Sequence, residues 1–197
     1  MNLKKRFENK SLDESYFDKK VNQANEQLNF LSKTIDDFKE FYTISKEKEI
    51  FSVKDAILNA TTILSADLKS HNIDLETSFE TFDEVKIFGV KSELSQVLIA
   101  IISNSIDVLK NIKNPEIQID IFSSSAEVII KLADNGGGIK AKNLKKIFEP
   151  YFSTKEEGTG IGLYLAKMII EESFGGKILV ENKKEGVLFS LFIEKAL

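Results

Sequence analysis

The sequence predicts an α+β fold: a two-layer α/β sandwich in which three helices cover one face of a mixed sheet, preceded by a long helix of coiled-coil type. Three observations predict it. Apolar residues recur at helical spacing in the stretches 53–68, 91–109 and 160–173. Between and after them lie short β-rich runs at 73–79, 85–88, 117–122, 128–132, 177–181 and 187–194, the last two joined by Lys183-Lys184-Glu185-Gly186, a hairpin turn. Ahead of residue 47 the period changes: from Phe17, apolar residues fall at Val21, Ala24, Leu28, Leu31, Ile35, Phe38 and Tyr42 in alternating steps of four and three. Helices interspersed with hairpin-linked strands make layers rather than a bundle.

In chain order, Ser11-Leu12-Asp13-Glu14 is a capping box, a hydroxyl followed three residues later by a carboxylate, so a long helix is expected from about 12 to 44. Its 3.5-residue seam asks for a partner helix; the other reading, packing on its own globular domain, stays open. Lys46-Glu47-Lys48-Glu49 is a charged break, which divides a helical segment, 1–47, from a second unit, 52–197. In the helix 91–109 the buried side carries Leu94, Val97, Leu98, Ile101, Ile102, Ser105, Val108 and Leu109, and Asn114-Pro115 ends it. Gly175-Gly176 stops the helix 160–173.

Composition excludes several function classes. With 27 basic and 31 acidic residues the net charge is −4, and no Lys/Arg block is long enough for a nucleic-acid or membrane footprint. There is no Cys, hence no disulfide and no thiolate metal site, which fits a reducing compartment. No apolar run approaches membrane-spanning length, and Met1-Asn2-Leu3-Lys4-Lys5-Arg6 lacks the apolar core of a secretory signal. A cytoplasmic location is the expectation.

Two glycine clusters carry the chemistry: Asp134-Asn135-Gly136-Gly137-Gly138-Ile139 and Gly158-Thr159-Gly160-Ile161-Gly162-Leu163. Glycine admits positive φ and removes Cβ, so successive N–H groups can turn toward an anion. The second cluster runs into a helix whose N-terminus would face phosphate oxygens. Asp134 closes an apolar strand and would stand at a pocket floor, able to accept a hydrogen bond from an exocyclic amine. Asn104 and Asp107, three residues apart, share one helix edge. One carboxamide suffices for a Mg²⁺ that keeps its phosphates and waters, while the plainer reading is a hydrogen bond to neighbouring backbone. Between the clusters, Phe148 and Phe152 could anchor a lid whose tip is Ser153-Thr154-Lys155; an ordinary surface loop is the alternative. A Walker A string is absent, the dinucleotide fingerprint is weak, and neither H-R-D nor D-F-G occurs.

In order and spacing, Asn104-Ser105-Ile106-Asp107, Asp134 to Ile139, Phe148-Glu149-Pro150-Tyr151-Phe152-Ser153-Thr154-Lys155 and Gly158 to Leu163 resemble the N, G1, F and G2 boxes of bacterial sensor histidine kinases. The resemblance spans residues 52–197 and implies the Bergerat ATP-binding fold shared with gyrase, heat-shock chaperones and mismatch-repair ATPases. It implies that Asp134 accepts the adenine amino group, that Asn104 ligates Mg²⁺ and acts with Lys155 in catalysis, and that the second glycine box caps the triphosphate. The nucleotide-binding set it implies is Asn104, Asp107, Asp134, Gly136, Gly138, Ile139, Phe148, Thr154, Lys155, Gly158, Thr159, Gly160, Ile161, Gly162, Leu163 and Ser190, with ATP and Mg²⁺ as cofactors. The helix 12–44 resembles the second helix of that family's dimerisation and phosphotransfer hairpin, which implies a homodimer through 17–42 and a response regulator as partner.

Two departures qualify the resemblance. The only histidine, His71, sits in Lys69-Ser70-His71-Asn72-Ile73, where a helix gives way to a strand with no acidic neighbour, and reads as a loop residue. The phosphoacceptor is then expected on a hairpin upstream of Met1. Ala100 stands one turn before Asn104, where hydrolysing relatives carry a glutamate and many kinases an asparagine, so uncoupled hydrolysis is expected to be slow. The expected function is the catalytic, ATP-binding portion of a protein histidine kinase. A phosphorylation-incompetent ATP-binding dimerisation module and an anti-sigma-factor-type serine kinase are the alternatives.

Overall fold

The computed structural model describes residues 6–7, 9–10, 13–42, 47–79, 85–155 and 158–196. Helix α1, Glu14–Tyr42, runs for 29 residues. Asp13 caps it: its Oδ1 accepts the Tyr16 N–H at 2.7 Å and its carbonyl accepts the Phe17 N–H at 3.1 Å. The cap therefore falls on Asp13, and Ser11, the expected cap, lies outside the described residues. Of the heptad seam, Phe17, Val21 and Leu28 are 46%, 38% and 62% exposed, so the first half of the stripe is uncovered. The side chains of Leu31, Ile35, Phe38 and Tyr42 lie outside the described set.

The charged break leads into a strand that the sequence reading missed. Strand β1, Glu49–Ser52, pairs antiparallel with β3, Lys86–Gly89, as a separate two-stranded sheet. The expected helix 53–68 is two: α2, Val53–Ile63, and α3, Ser65–Ser70, parted at Leu64, where ψ is 4°. Thr61 Oγ1 bonds back to the Ile57 and Leu58 carbonyls at 3.0 and 3.2 Å, a pattern that loosens a last helical turn. His71 follows as the C-cap of α3, with Nδ1 2.8 Å from the Asp67 carbonyl and 2.9 Å from Ser70 Oγ.

The main sheet has the order β2-β4-β5-β7-β6, from β2 (Asp74–Phe79), β4 (Glu116–Ser123), β5 (Glu127–Asp134), β6 (Lys177–Lys183) and β7 (Gly186–Glu194). β2 and β4 are parallel and the other pairs antiparallel, as a mixed sheet requires. Helix α4, Lys91–Leu109, makes the crossover that a parallel pair needs. It packs beside α2 on one side and beside α6, Gly162–Met168, on the other, with the short α5, Ala141–Leu144, between α4 and α6 in the chain. The expectation that no apolar run approaches membrane-spanning length needs correcting here, since α4 is long and apolar enough by composition, but its Leu94, Leu98, Ile101 and Ile102 are wholly buried in the core of the domain. They meet a β face of Ile119, Leu132, Ile130, Phe189 and Leu191, brought side by side by the register Ile119↔Leu132↔Phe189 and Ile130↔Leu191. Burial of each such side chain contributes roughly 1.5–3 kcal/mol.

The third helix starts two residues later than predicted and reaches Ser173 as predicted, but changes type on the way. It begins at Gly162 because Gly160 has a φ of +67°, which a right-handed helix cannot contain. It then widens into a π turn, Ile169–Ser173, closed by the Phe174 N–H on the Ile169 carbonyl at 3.2 Å. Beyond the π turn, Phe174 lies edge-on to Phe51 at 6.5 Å and against Gly89, where a Cβ would overlap its ring. The contact ties the small sheet to the main core.

Candidate functional site

One cleft of about 1080 Å³ opens where β5, α4, the lid segment and the start of α6 meet. Its size suits a nucleotide. Asp134 ends β5 at the floor of the cleft, and two hydrogen bonds orient its carboxylate: Oδ1 accepts the Gly136 N–H at 2.9 Å and Oδ2 accepts Ser105 Oγ at 2.9 Å. Lone pairs remain for a ligand amine. A Cβ on Gly136 would come within 2.5 Å of a Val108 methyl, so a side chain there would have to push Val108 aside. Gly137 and Gly138 follow with φ of +88° and +84°, and the turn is clamped from β6 by Asn182. Asn182 Oδ1 accepts the Ile139 N–H at 2.8 Å and Nδ2 donates to the Ile139 carbonyl at 2.7 Å. Asn135 ties the same turn to the next strand, accepting the Glu116 N–H and donating to the Asn114 carbonyl at 3.0 and 2.8 Å.

The lid has the anchored base and polar tip expected of it. Phe148 packs edge-on against Phe189 with ring centres 6.4 Å apart, and Phe152 packs partly buried against the core. Ser153, Thr154 and Lys155 are exposed. Ser153 Oγ takes the Lys155 N–H at 3.0 Å, which bends the tip back over the cleft. Glu156 and Glu157 lie outside the described residues. The second glycine cluster passes beneath: a Cβ on Gly160 would lie 2.6 Å from the Phe152 carbonyl oxygen.

On the α4 wall, Lys155 Nζ donates to Asn104 Oδ1 at 2.9 Å and to Asp107 Oδ2 at 2.6 Å, while Lys110 holds Asp107 Oδ1 at 2.7 Å. Burial pulls the Asp107 carboxyl up, but hydrogen bonds and charges from Lys110 and Lys155 outweigh it, so its pKa is held below the ordinary 3.8. The plainer reading of Asn104 is also realised, since Nδ2 donates to the Ala100 carbonyl at 2.8 Å, and that bond leaves Oδ1 facing the cleft. Oxygens of this kind suit a hard cation. The cleft's two described carboxylates are both engaged, Asp134 in orienting bonds and Asp107 by two lysines, so neither stands as a base for water beside Ala100.

The cleft gathers Asn104, Asp107, Asp134, Gly136, Gly138, Ile139, Thr154, Lys155, Gly158, Thr159, Gly160, Gly162 and Leu163. Three predicted residues stand elsewhere. Phe148 supports the lid from outside, and Ile161, 1% exposed, belongs to the core. Ser190 is opposite Lys131, on the sheet face turned away from the helices; its neighbour Phe189 faces the cleft instead. Ser105 and Asn182 were missed as site residues: Ser105 reads as core in a helical stripe, and Asn182 carries no local signal.

Residues 89–197 match the family described as Histidine kinase-, DNA gyrase B-, and HSP90-like ATPase. Sporulation kinase C of Bacillus subtilis (strain 168) is 30% identical over 141 residues, covering 72% of this chain and 32% of that protein. The chain spans less than a third of the length of the curated relatives it matches. The nucleotide-free catalytic domain of the histidine kinase ThkA superposes with a TM-score of 0.69 at 30% identity, covering 76% of this chain and 98% of that one. ThkA in complex with the response regulator TrrA shares the fold, with a TM-score of 0.70 at 24% identity over 94% of this chain and 53% of that one. The chain belongs to the histidine kinase, gyrase B and HSP90-like ATPase family, and its ATP-binding fold is that of the sensor histidine kinase catalytic domain.

Proposed function

We propose that the chain is the catalytic portion of a two-component sensor histidine kinase, binding ATP and delivering its γ-phosphoryl to a histidine on a hairpin outside these residues. The observation that carries this reading is Asp134, a carboxylate oriented by Ser105 and Gly136 at the floor of a cleft with glycine turns at its lip. An exocyclic amine can bond to it, whereas the keto oxygen of guanine would leave the carboxylate unpaired, at about 1–3 kcal/mol.

Phosphoryl transfer has a loose transition state, so the protein's part is placement and charge neutralisation. The residues fit a magnesium ion, since Asn104 Oδ1 is a neutral oxygen facing the cleft and the cationic Lys155 ammonium already rests on it. Mg²⁺, when bound, would screen charge on the phosphates. Lys155, on the lid tip, can turn from Asn104 toward phosphate oxygens, and the backbone around Gly158 and Gly160 can approach them without side-chain interference. Among the described residues the cleft's carboxylates are engaged elsewhere, which favours keeping ATP for the acceptor.

The uncovered seam at Phe17, Val21 and Leu28 supports dimerisation through α1. A response regulator is the downstream partner proposed, in the cytoplasm. A second reading, an ATP-binding dimerisation module that transfers nothing, draws on His71, whose ring Nδ1 is taken up by the Asp67 carbonyl and Ser70 Oγ at its own helix end.

Labelled ATP, given with and without a histidine-bearing hairpin, tests this. An acid-labile, base-stable phosphate on the hairpin supports the kinase. ATP binding without transfer supports the module, and an acid-stable label would make it a serine kinase.

A further inference from the structure

We propose that Asp107 is the second protein ligand of the divalent cation that accompanies ATP, and that the Lys155 ammonium holds its place until the cation displaces it. The inference rests on the ATP reading above.

A positive charge already occupies the point where Asn104 and Asp107 converge: Lys155 Nζ lies 2.9 Å from Asn104 Oδ1 and 2.6 Å from Asp107 Oδ2. Both oxygens are aimed there by the other end of their own side chain. Asn104 Nδ2 is tied to the Ala100 carbonyl at 2.8 Å, and Asp107 Oδ1 to Lys110 at 2.7 Å. Such outer contacts fix the direction of a ligand atom before a cation arrives.

One carboxamide can serve a cation that keeps its phosphates and waters, but such sites usually draw on one or two carboxylates as well, and Ala100, one turn before Asn104, presents only a methyl to the cleft. Asp107, three residues after Asn104, is the carboxylate on that wall within reach of the same point. Lys155 is 40% exposed, on a lid tip held by a short turn, and can leave without disturbing the core.

The competing account makes Asp107 only the counterion that tethers Lys155. The two accounts differ in the ratio of ATP affinity in saturating Mg²⁺ to that in EDTA, measured by calorimetry on the whole chain. If Asp107 is a ligand, Asp107→Ala lowers this ratio by about tenfold or more while binding in EDTA persists. Lys155→Met raises the ratio, since the competitor is gone. With Mn²⁺ in place of Mg²⁺, spin-echo modulation in deuterated water should show an added water on the bound ion in Asp107→Ala. An unchanged or raised ratio in Asp107→Ala would overturn the assignment, and an unchanged ratio in Lys155→Met would overturn the displacement. Loss of ATP binding by the wild-type chain in both conditions would instead remove the nucleotide reading itself.

Discussion

Gly160→Ala puts the geometry of the lid and the second glycine cluster to the most direct test. Gly160 sits at φ +67°, where an L-residue costs about 1–2 kcal/mol more than in the right-handed region. The added methyl would also lie 2.6 Å from the Phe152 carbonyl oxygen and 2.7 Å from its carbon. These are backbone atoms, unable to swing aside as a flexible side chain could, so overpacking adds about 1–3 kcal/mol. The total is at least about 2 kcal/mol, a factor of roughly 30 in an equilibrium constant. Part of it can be relieved by the lid moving off the cluster, in which case the loss appears in ATP affinity rather than in unfolding. Urea denaturation and ATP calorimetry on the same variant therefore capture both routes. Gly162→Ala is the control for stability: its Cβ would meet Ala100 Cβ at an ordinary 3.8 Å, in a residue whose φ is not left-handed, so no loss is expected. If Gly160→Ala stays within about 0.5 kcal/mol of the parent and binds ATP unchanged, the left-handed turn under the lid is not what holds the segment.

Three further substitutions follow from the site. Asp134→Asn places an amide group between two donors, Ser105 Oγ and the Gly136 N–H, and should weaken ATP binding by about 1.5–3 kcal/mol; an unchanged calorimetric affinity would refute the adenine role. Asn182→Ala removes both bonds that clamp Ile139, so amide exchange at Ile139 should accelerate and ATP affinity fall several-fold, whereas full protection at Ile139 would show that the turn holds itself. Asp107→Asn should show a pH signature. A carboxyl lowered in the folded state adds stability above its unfolded pKa and loses it as pH falls through the folded value, so the stability gap to the parent is full at neutral pH and closes below the ordinary 3.8. A gap that stays constant into acid would mean that Lys110 and Lys155 do not hold Asp107.

The layers were legible because each rests on local periodicity. The stripe is buried at Leu94, Val97, Leu98, Ile101, Ile102, Ser105 and Leu109, while Val108, expected on the same side, is 47% exposed because it lines the open cleft; the alternation Val128, Ile130, Leu132 buries the face it predicts. What failed was set by non-local contacts. Strand β1 is a charged tetrapeptide opening, Glu49-Ile50-Phe51-Ser52, whose conformation comes from pairing with β3 more than thirty residues later. The break at Leu64 carries neither Pro nor Gly, and the π turn at Ile169–Ser173 carries none of the markers that announce a helix end. Phe174 is placed by its partners Phe51 and Gly89, from two distant strands.

The site shows the same division at finer grain. Glycines and Asp134 announce themselves because backbone reach and a floor carboxylate need particular residue types at particular turns. Ser190 did not follow, because alternation says that Phe189 and Ser190 face opposite ways but not which one faces the helices; register decides it, pairing Phe189 with the core residue Leu132 and Ser190 with Lys131. Asn182 is the converse case, a polar residue near a hairpin end that meets the first glycine turn only because β6 and β7 fold back beside β5. Lys155 and Asp107 lie 48 residues apart, and the spacing says nothing of their contact. That contact forms because Phe148 and Phe152 pin the lid at one end while Gly158 and Gly160 admit it closely at the other, which leaves the tip a short reach onto α4. The same hydrophobic anchors that make the segment a lid therefore decide which wall residue its lysine finds, and a change at Phe148 should alter Lys155's partner without touching either charged group.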